Sequence, residues 1–317
     1  EEILPKELKK EGSTTTSGSI LYDILRKLKP NAQIELSLQN PNKIKLVSEN
    51  SKFNLLCLPS DNFPLPGEGI DQESFEVSPQ KLLKLLNKTK ISISNDETRH
   101  YLNGIYLHKT KLENKSFLCG VATDSHRLSS SSLEIDPKIN IEPIILPKKT
   151  IFQLILLLEQ NSGTIKISNN KSKIKFEING GVLISKVIDG RFPDYSKVIP
   201  KNNDKILHIK LDEFRNAIER VTTVSSDRTK GLKMNISKDA VQLSVNNPNS
   251  GEGIESINAK FNASDLNISF NSRYLIDIAT QIENEFIVIN LKDSSSPVLI
   301  NDFSDKNSFY VVMPMKI

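Results

Sequence analysis

Tryptophan is absent from this chain of 317 residues, aromatic residues make up only 6% of it, and there are two cysteines. So few aromatics argue against a single-strand nucleic-acid binder, because such proteins stack bases on exposed rings. The two cysteines, Cys57 and Cys119, lie in apolar segments with no histidine or second cysteine at the spacing of metal ligands. We therefore expect two reduced, buried thiols, no metal site and no cofactor.

Long apolar runs are also missing. The longest uninterrupted run extends only from Leu154 to Leu158, whereas a transmembrane helix needs about 18 residues or more. The N-terminal residues from Glu1 to Glu11 are polar and charged and lack the apolar stretch of a secretory signal. The sequence therefore predicts no membrane span and a cytoplasmic location.

Signatures of catalysis are missing as well, including a phosphate-binding glycine loop, a nucleophile elbow and a cluster of metal ligands. Asp124, Ser125 and His126 are consecutive, but a catalytic triad depends on the arrangement of its members in space. We predict that the protein is not an enzyme. An α+β hydrolase that uses these three residues is the alternative from another functional class.

The charge balance is weakly basic, with a formal net charge of +4 and an isoelectric point of about 8.8. This balance is compatible with a nucleic-acid partner but does not identify one. If the protein binds DNA, the scarcity of aromatic residues predicts contacts to phosphates rather than stacking on bases.

One pattern, a helix followed by alternating strands, occurs three times in the chain. Its helices begin near Ser19, Thr150 and Ser272, and these positions are too far apart for a solenoid repeat. A related unit lies between successive copies. Its helix begins at Ser78-Pro79, where serine can cap the helix and proline suits the first turn, and again before residues 214–221.

The order of these units predicts a half domain followed by two whole ones, at residues 1–68, 75–193 and 197–317. Each would have the α+β class, with antiparallel sheets covered on one side by helices. The chain does not begin with methionine, and we expect the first half of the first domain to be missing.

Basic residues recur on the predicted helices. Arg26 and Lys27 lie on the first helix, and Lys148 and Lys149 lie at the start of the third. These residues could contact DNA, or they could simply belong to the solvated face of each helix. Composition leaves both interpretations open, and the repetition favours DNA only modestly.

Four motifs are the most specific feature of the sequence. They are Arg-His-Tyr-Leu-Asn-Gly at 99–104, Val-Ala-Thr-Asp-Ser-His-Arg-Leu at 121–128, Asp-Gly-Arg-Phe-Pro-Asp-Tyr at 189–195 and Tyr-Val-Val-Met-Pro-Met-Lys-Ile at 310–317. In order and spacing they resemble motifs of the bacterial DNA sliding clamps, the beta subunits of DNA polymerase III. The resemblance extends over nearly the whole chain.

This resemblance implies a head-to-tail homodimeric ring of six similar domains, with helices lining a hole around duplex DNA and sheets facing outward. A clamp of this kind is a non-catalytic processivity factor that slides without sequence specificity. The partners that the resemblance implies are the polymerase III catalytic subunit, the clamp loader, repair polymerases and other proteins with a clamp-binding motif.

Two departures from the family pattern affect these expectations. Ser125 occupies a position where the family usually has glycine, and a positive φ there would cost a serine about 1 kcal/mol. The half domain expected at the N-terminus leaves open a second function, a peptide-binding adaptor that cannot close a ring.

The resemblance also implies which residues bind DNA. Lys148 and Lys149 match DNA-facing positions of the family, and His100 and Tyr101 lie near the same loop. Tyr101 could equally be a half-buried packing residue. Arg26 and Lys27 are further candidates on the basis of charge alone.

A peptide-binding pocket is implied between the second and third domains. The residues that match its positions are Leu102, Thr123, His126, Arg127, Leu128, Pro193, Lys197, Val198, Asn271, Tyr274, Val311, Met313, Pro314 and Met315. Lys197 stands where an arginine is common. Methionine side chains are flexible and polarizable, so the C-terminal pair suits a surface that repacks around several ligands.

A dimer contact is implied between the first domain and the third domain of a second copy. The matching residues are Phe53 and Leu55, on a strand expected at a sheet edge, and Thr223 and Val224. An incomplete sheet is a poor platform for strand pairing, so the missing half domain predicts a weak dimer.

Overall fold

The computed structural model describes residues 5–63, 70, 74–179, 181–225 and 230–316, and the chain forms two compact units, residues 1–69 and 70–317. Antiparallel strands dominate both units and helices are few, which confirms the predicted α+β class. Cys57 and Cys119 are both buried and not bonded to each other. Within the described residues, no helix is both long enough and apolar enough to span a membrane.

The described part of the first unit contains one α-helix, a short 3-10 helix at Ser60–Asn62 and a four-stranded sheet in the order β1-β4-β3-β2. Its elements are β1 (Thr15–Thr16), α1 (Gly18–Leu25), β2 (Glu35–Asn40), β3 (Lys43–Ser48) and β4 (Ser51–Leu58). Ser17 precedes α1 and its hydroxyl accepts a hydrogen bond from the Ile20 amide, so this helix starts at a side-chain cap.

The position of β4 corrects one expectation about the dimer contact. Phe53 and Leu55 do not lie on an edge strand, because β4 is between β3 and β1. β1 is short, however, and pairs only with Cys57 and Leu58 of β4. Leu55 is buried within its own unit, whereas Phe53 is partly exposed.

The second unit contains the remaining sixteen strands and four helices of the described chain. Its first half comprises β5 (Phe75–Val77), α2 (Pro79–Lys90), β6 (Gly104–Leu112), β7 (Lys115–Thr123), β8 (Arg127–Ile135), β9 (Ile144–Pro147), α3 (Lys148–Glu159), β10 (Ile165–Asn169), β11 (Lys173–Ile178) and β12 (Gly181–Lys186). Its second half comprises β13 (Lys205–Lys210), α4 (Leu211–Val221), β14 (Gly231–Ile236), β15 (Ala240–Asn247), β16 (Gly251–Phe261), β17 (Leu266–Asn271), α5 (Ser272–Ala279), β18 (Phe286–Leu291), β19 (Val298–Asp302) and β20 (Asp305–Val312).

A twelve-stranded sheet connects the two halves of this unit, in the order β17-β14-β15-β16-β13-β18-β19-β20-β8-β7-β6-β9. The connection is the antiparallel pair β20 and β8, in which Val311 lies opposite Leu128 and Val312 opposite Arg127. The sheet therefore continues across the predicted boundary near residues 193–197, and the separation into domains 75–193 and 197–317 stays a prediction.

The helices begin near the predicted positions, but the hydrogen bonds that their first side chains form differ from those expected. Pro79 occupies the first turn of α2 as predicted, but the Ser78 hydroxyl donates to the Gln80 side chain and does not cap the helix. α3 begins at Lys148, ahead of Thr150, whose hydroxyl instead bonds to Ser185. A polar side chain near a helix start therefore does not by itself identify the cap.

Alternation along the strands distributes side chains to two faces of the large sheet. On β7, Leu118 and Ala122 belong to the core that packs against α2 and α3. Cys119 and Val121 point to the opposite face and join a smaller apolar cluster, which we call the outer cluster. Its buried members are Leu102, Cys119, Val121, Leu128, Ile145, Phe192 and Val311. The sheet is thus apolar on both faces in this region.

Candidate functional site

The loop between β7 and β8 is held in one conformation by its own polar groups. Ser125 has φ of 78°, in the left-handed region, as its departure from the usual glycine had suggested. Asp124 Oδ1 accepts hydrogen bonds from the amides of His126 and Arg127, each at 2.9 Å. The Thr123 hydroxyl donates to the Arg127 carbonyl at 2.7 Å. These bonds make the loop a rigid support for the side chains around it.

The same hydrogen bonds argue against the hydrolase alternative, because they occupy the side chains that its catalysis would use. The Asp124 carboxylate is occupied by backbone amides and by Arg127 Nε at 3.1 Å, and it forms no bond to the His126 ring in the described structure. The Ser125 hydroxyl accepts from Arg99 Nη1 at 2.6 Å. Asp124, Ser125 and His126 therefore do not form a catalytic triad, in which the base must contact the nucleophile.

Arg127 joins β8 to α5 at the centre of the predicted pocket. Its Nη1 lies 2.6 Å from Asp277 Oδ2, and its guanidinium stacks on Tyr274 with 4.3 Å from Cζ to the ring centroid. Only 9% of the side chain is exposed. Asp124 and Asp277 therefore both bind the guanidinium, and the role of Arg127 in the pocket stays a prediction.

Apolar residues of the predicted pocket form a buried floor with an exposed border. Leu102, Leu128 and Val311 are buried in the outer cluster. Three further residues present large exposed apolar side chains, namely Val198, Met313 and Met315. Buried packing holds the floor in place, while the exposed side chains remain available to a ligand.

The C-terminal residues are attached to the sheet through their backbone. Met313 N donates to the His126 carbonyl at 2.8 Å, and Met315 N donates to the Ser269 carbonyl at 2.7 Å. Met313 thereby extends the pairing of β20 with β8, while Met315 reaches β17. Pro314, between them, is half-buried. The tail therefore has a defined path, and its side chains have defined positions.

The other predicted pocket residues have different roles in the structure. Asn271 is the N-cap of α5, because its side-chain Oδ1 accepts from the Arg273 amide at 3.0 Å, and its place in the pocket stays a prediction. Lys197 is exposed and lies 3.4 Å from Asp194. Pro193 is exposed next to the buried Phe192.

An aromatic stack holds the segment that carries Pro193, Lys197 and Val198 against the sheet. Phe192 stacks on Tyr106 with ring centroids 4.9 Å apart, and Tyr106 stacks on His108 at 4.7 Å. Burial lowers the pKa of His108, which favours the neutral ring. Because Nδ1 faces the Lys109 carbonyl, that nitrogen carries the proton, and Nε2 accepts from the Tyr195 hydroxyl at 3.0 Å.

The predicted DNA-binding residues of the second unit lie near the start of α3. Lys148 N donates to the Asn103 carbonyl at 3.1 Å, which joins α3 to the end of the 3-10 helix Glu97–Leu102 that carries His100 and Tyr101. Lys148 Nζ bonds to the Asn95 side chain, whereas Lys149 is exposed. His100 Nε2 is 3.1 Å from the Asp189 carbonyl, and Tyr101 is half-buried, as its packing interpretation expected.

Arg26 and Lys27 follow α1, the only α-helix in the described part of the first unit. Arg26 Nε lies 2.9 Å from Asp23 Oδ1, and its guanidinium is over the Tyr22 ring. Lys27 is exposed. The ion pair with Asp23 locally neutralises the charge of Arg26, so the charge of Lys27 is more available to a partner.

A buried group of charges joins α2 to the hairpin of β19 and β20. Lys88 Nζ lies 3.0 Å from Asp305 Oδ2 and 3.6 Å from Asp302 Oδ2, and it donates to the Gln281 carbonyl at 3.1 Å. Lys84 Nζ is 3.3 Å from the same Asp305 oxygen. Burial alone would raise the pKa of Asp305, but the hydrogen bond and charge of Lys88 hold it below its ordinary value.

Sequence reasoning missed Asp277, Phe192, Arg99 and this charge group. Asp277 follows Tyr274 at the helical spacing that places two side chains on one face, which was an available signal. Phe192 is an apolar residue within a quoted motif. For Lys88 the only signal was a position on the apolar side of α2, and its partners are too distant in sequence to be recognised.

Three family models match the chain. They describe the DNA polymerase III beta subunit and cover its N-terminal domain at residues 1–66, its central domain at 76–194 and its C-terminal domain at 196–316. The match of the N-terminal model does not support the expectation that the first half of that domain is missing.

Similar proteins are named beta sliding clamps. The beta sliding clamp of Caulobacter vibrioides is 34% identical over 308 residues, which are 96% of this chain and 83% of that protein. The beta sliding clamp of Escherichia coli is 30% identical, over 96% of this chain and 82% of that protein.

Solved structures of sliding clamps are also similar to this chain. A sliding clamp from Bartonella birtlesii bound to griselimycin superposes with a TM-score of 0.94 at 38% identity and covers 98% of this chain and 84% of that one. A sliding clamp from Pseudomonas aeruginosa with a ligand has a TM-score of 0.92 at 30% identity, over 99% and 85% of the two chains.

Proposed function

Because the chain belongs to the family of the DNA polymerase III beta subunit, the bacterial sliding clamps, we propose that the surface over its outer cluster binds peptides of the replication machinery. The protein is a non-catalytic processivity factor of DNA replication, and its partners are DNA, the polymerase, the clamp loader and a second copy of itself. An adaptor that never encircles DNA is therefore not favoured, and the missing half domain from which a weak dimer was expected is not supported.

One observation carries the proposed peptide surface. A buried apolar floor of Leu102, Leu128 and Val311 lies beside the exposed Met313 and Met315. A rigid floor can desolvate apolar anchors, and flexible methionines can adapt to several ligands. The resemblance to the sliding clamps implies the type of ligand, a short peptide with a glutamine followed by aliphatic or aromatic anchors.

Val198→Asp tests this proposal. Val198 is 50% exposed, so a carboxylate there should weaken peptide binding about tenfold by opposing apolar anchors, with little effect on folding. The control is Val182→Asp, because Val182 is 55% exposed on β12. Titration of a fluorescent peptide gives both affinities. Equal affinities would remove Val198 from the surface.

We further propose that duplex DNA is contacted through phosphates by Lys148 and Lys149, with His100 and Tyr101 near them. Arg26 and Lys27 are proposed contacts of the first unit. Long basic side chains suit this role because a sliding protein must not stop at a particular sequence. A protein that works on the bacterial chromosome would be cytoplasmic, and cell fractionation tests that location.

Replacing Lys148 and Lys149 with alanine should flatten the salt dependence of DNA binding. Each lost phosphate contact lowers the slope of log affinity against log salt by about 1 unit, so the double variant loses up to about 2. The matched control replaces Lys166 and Lys186, which are exposed on β10 and β12. An unchanged slope in the first variant would contradict the placement.

For the dimer we propose that Phe53 and Leu55 of one protomer approach Thr223 and Val224 of the other. β1 pairs only with the end of β4. Within the described first unit, the first part of β4 therefore has no strand partner on the side of β1. Backbone pairing is therefore available there, and Phe53 is partly exposed. Sedimentation of Phe53→Asp should show a larger monomer fraction than the wild type, and an unaltered dimer would reject this contact.

A further inference from the structure

A shallow depression lies on the large sheet where β13 meets β16, beside the turn between β14 and β15. Its volume is about 340 Å³. Its walls include Ile206, His208, Lys238, Asp239, Lys260 and Phe261. We call it the basic depression, because three of these side chains are basic and one is acidic.

Hydrogen bonds fix the walls of the basic depression. The Phe261 amide donates to the Lys238 carbonyl at 2.9 Å, which attaches the turn between β14 and β15 to the end of β16. The Ile206 amide donates to Asn262 Oδ1 at 2.6 Å, which attaches the segment after β16 to β13. The basic side chains therefore start from backbone positions that are fixed relative to one another.

Two of the basic residues face each other across neighbouring strands. His208 of β13 lies directly opposite Lys260 of β16 in the antiparallel pairing, and both side chains are exposed. Opposite charges at such positions stabilise a sheet, whereas two basic groups gain nothing from each other. The exposed Lys238 adds a third basic group to the same depression.

Other lysines of β13 have carboxylate partners. Lys205 Nζ lies 3.6 Å from Asp204 Oδ1, and Lys210 Nζ lies 3.8 Å from Glu213 Oε1. Among the residues that the structure describes, no such ion pair is formed by the two lysines of the basic depression, by its histidine or by its aspartate. The cations of the depression are therefore available to an anion from outside.

A row of cross-strand pairs joins the basic depression to the outer cluster. The row contains Lys260, His208, Val288, Asn301, Phe309 and Ser130. Such partners lie on one face of a sheet, and Phe309 packs against the outer cluster. The basic depression therefore faces the same side as the proposed peptide surface, and three strand spacings, about 14 Å, separate β13 from β20.

The lining favours an acidic peptide over a single-stranded nucleic acid. Nucleic acids without a complementary strand bind by stacking their bases on exposed rings as well as through their phosphates. The only phenylalanine of the lining, Phe261, is buried, so it offers no face to a base. Aspartate and glutamate need only the charged donors and the apolar edge that Ile206 provides.

We propose that the basic depression binds an acidic segment of a protein partner. The ammonium groups of Lys238 and Lys260 and the ring of His208 donate to its aspartate or glutamate carboxylates. Because the donors are exposed, binding should be weak and should weaken further as salt is added. This site is separate from the proposed peptide surface and goes beyond the proposed function, so neither depends on the other.

A fluorescent polyglutamate peptide without apolar anchors tests the proposal at low salt. Replacing Lys238 and Lys260 together with glutamine should weaken its binding about tenfold, the combined value of two good exposed ion pairs. Asp239→Asn should have the opposite effect and strengthen binding about twofold, because it removes the carboxylate that repels the ligand. All three side chains are exposed, so folding should be retained, and thermal unfolding verifies this.

The control replaces Lys166 and Lys186 with glutamine. Both are exposed, on β10 and β12 of the other sheet, so this variant loses the same net charge without changing the basic depression. Its affinity for polyglutamate should stay within about twofold of the wild type. Equal losses in the two double variants would reject the site, because net charge alone would then explain them.

A single-stranded oligothymidylate distinguishes the two kinds of ligand. The variant without Lys238 and Lys260 should lose less affinity for the oligonucleotide than for polyglutamate. An equal or larger loss for the oligonucleotide would assign the site to nucleic acid and overturn the proposal. Polyglutamate that does not bind the wild type, or that binds the variant equally well, would overturn it too.

Discussion

Lys88→Met is expected to lower the free energy of unfolding by about 3 kcal/mol, because it leaves buried carboxylates without their cation. Lys88 is only 3% exposed, and Asp302 and Asp305 are buried beside it. Lys84 still reaches Asp305 at 3.3 Å, so the loss should be at the lower end for a broken buried pair. Urea denaturation of the variant and the wild type measures the difference.

The effect should depend on pH with a definite sign. Burial opposes ionisation of Asp302 and Asp305, but hydrogen bonds and the charge of Lys88 hold both pKa values below normal. Carboxylates with lowered pKa contribute stability above about pH 4, and that stability is lost as the pH falls through the lowered values. The difference between wild type and variant should therefore shrink below about pH 4.

Two further variants give this test its controls. Tyr310 is buried nearby, and its hydroxyl has no hydrogen-bond partner among the residues that the structure describes. Tyr310→Phe should thus change stability by less than about 0.5 kcal/mol. Adding Asp302→Asn and Asp305→Asn to Lys88→Met should restore part of the loss, because no uncompensated charge remains buried. Equal losses for Lys88→Met and Tyr310→Phe would contradict the assigned role.

Deleting Met315, Lys316 and Ile317 is expected to weaken binding of the peptide tenfold to more than a hundredfold, a cost of about 1 to 3 kcal/mol. Met315 is 39% exposed and its amide is bound to the Ser269 carbonyl, so its side chain is presented at a defined place. Ile317 lies outside the described residues. Folding should change little, because the deletion removes one backbone hydrogen bond beyond the last strand. Peptide titration and thermal unfolding measure the two effects separately.

The control for this deletion is Phe303→Ala. Phe303 is 77% exposed in the turn between β19 and β20, so it is a large exposed apolar residue at the other end of β20 from Met313. Its replacement should leave peptide affinity unchanged. If the deletion and Phe303→Ala bind equally well, the C-terminal residues do not belong to the binding surface.

Periodic features were predictable from the sequence because they are local. Strand alternation near Met234 and Val241 and the helical spacing of Leu82, Leu85 and Leu86 each report a buried face within a few residues. The capping role assigned to Ser78 was wrong, because its hydroxyl found the Gln80 side chain instead. Short polar side chains have several local partners of similar energy, and sequence does not choose among them.

The candidate site was predictable mainly through its motifs. They pointed to the residues around Thr123, Pro193 and Met313, but gave no sign that Arg127 and Asn271 also have partners inside the protein, namely Asp124, Asp277 and the Arg273 amide. A polar side chain in a motif can serve either a ligand or the scaffold. Only its partners in space distinguish the two.

The sequence by itself determined the α+β class and the family, since periodicity and motifs depend on neighbours along the chain. Tertiary structure alone decided that β20 pairs with β8, and this pairing brings Asp277 to Arg127 and the C-terminal tail to His126. An ion pair in a poorly hydrated place is stable only when its geometry offsets the cost of desolvation. That geometry is set by packing between distant segments, so no spacing in the sequence encodes it.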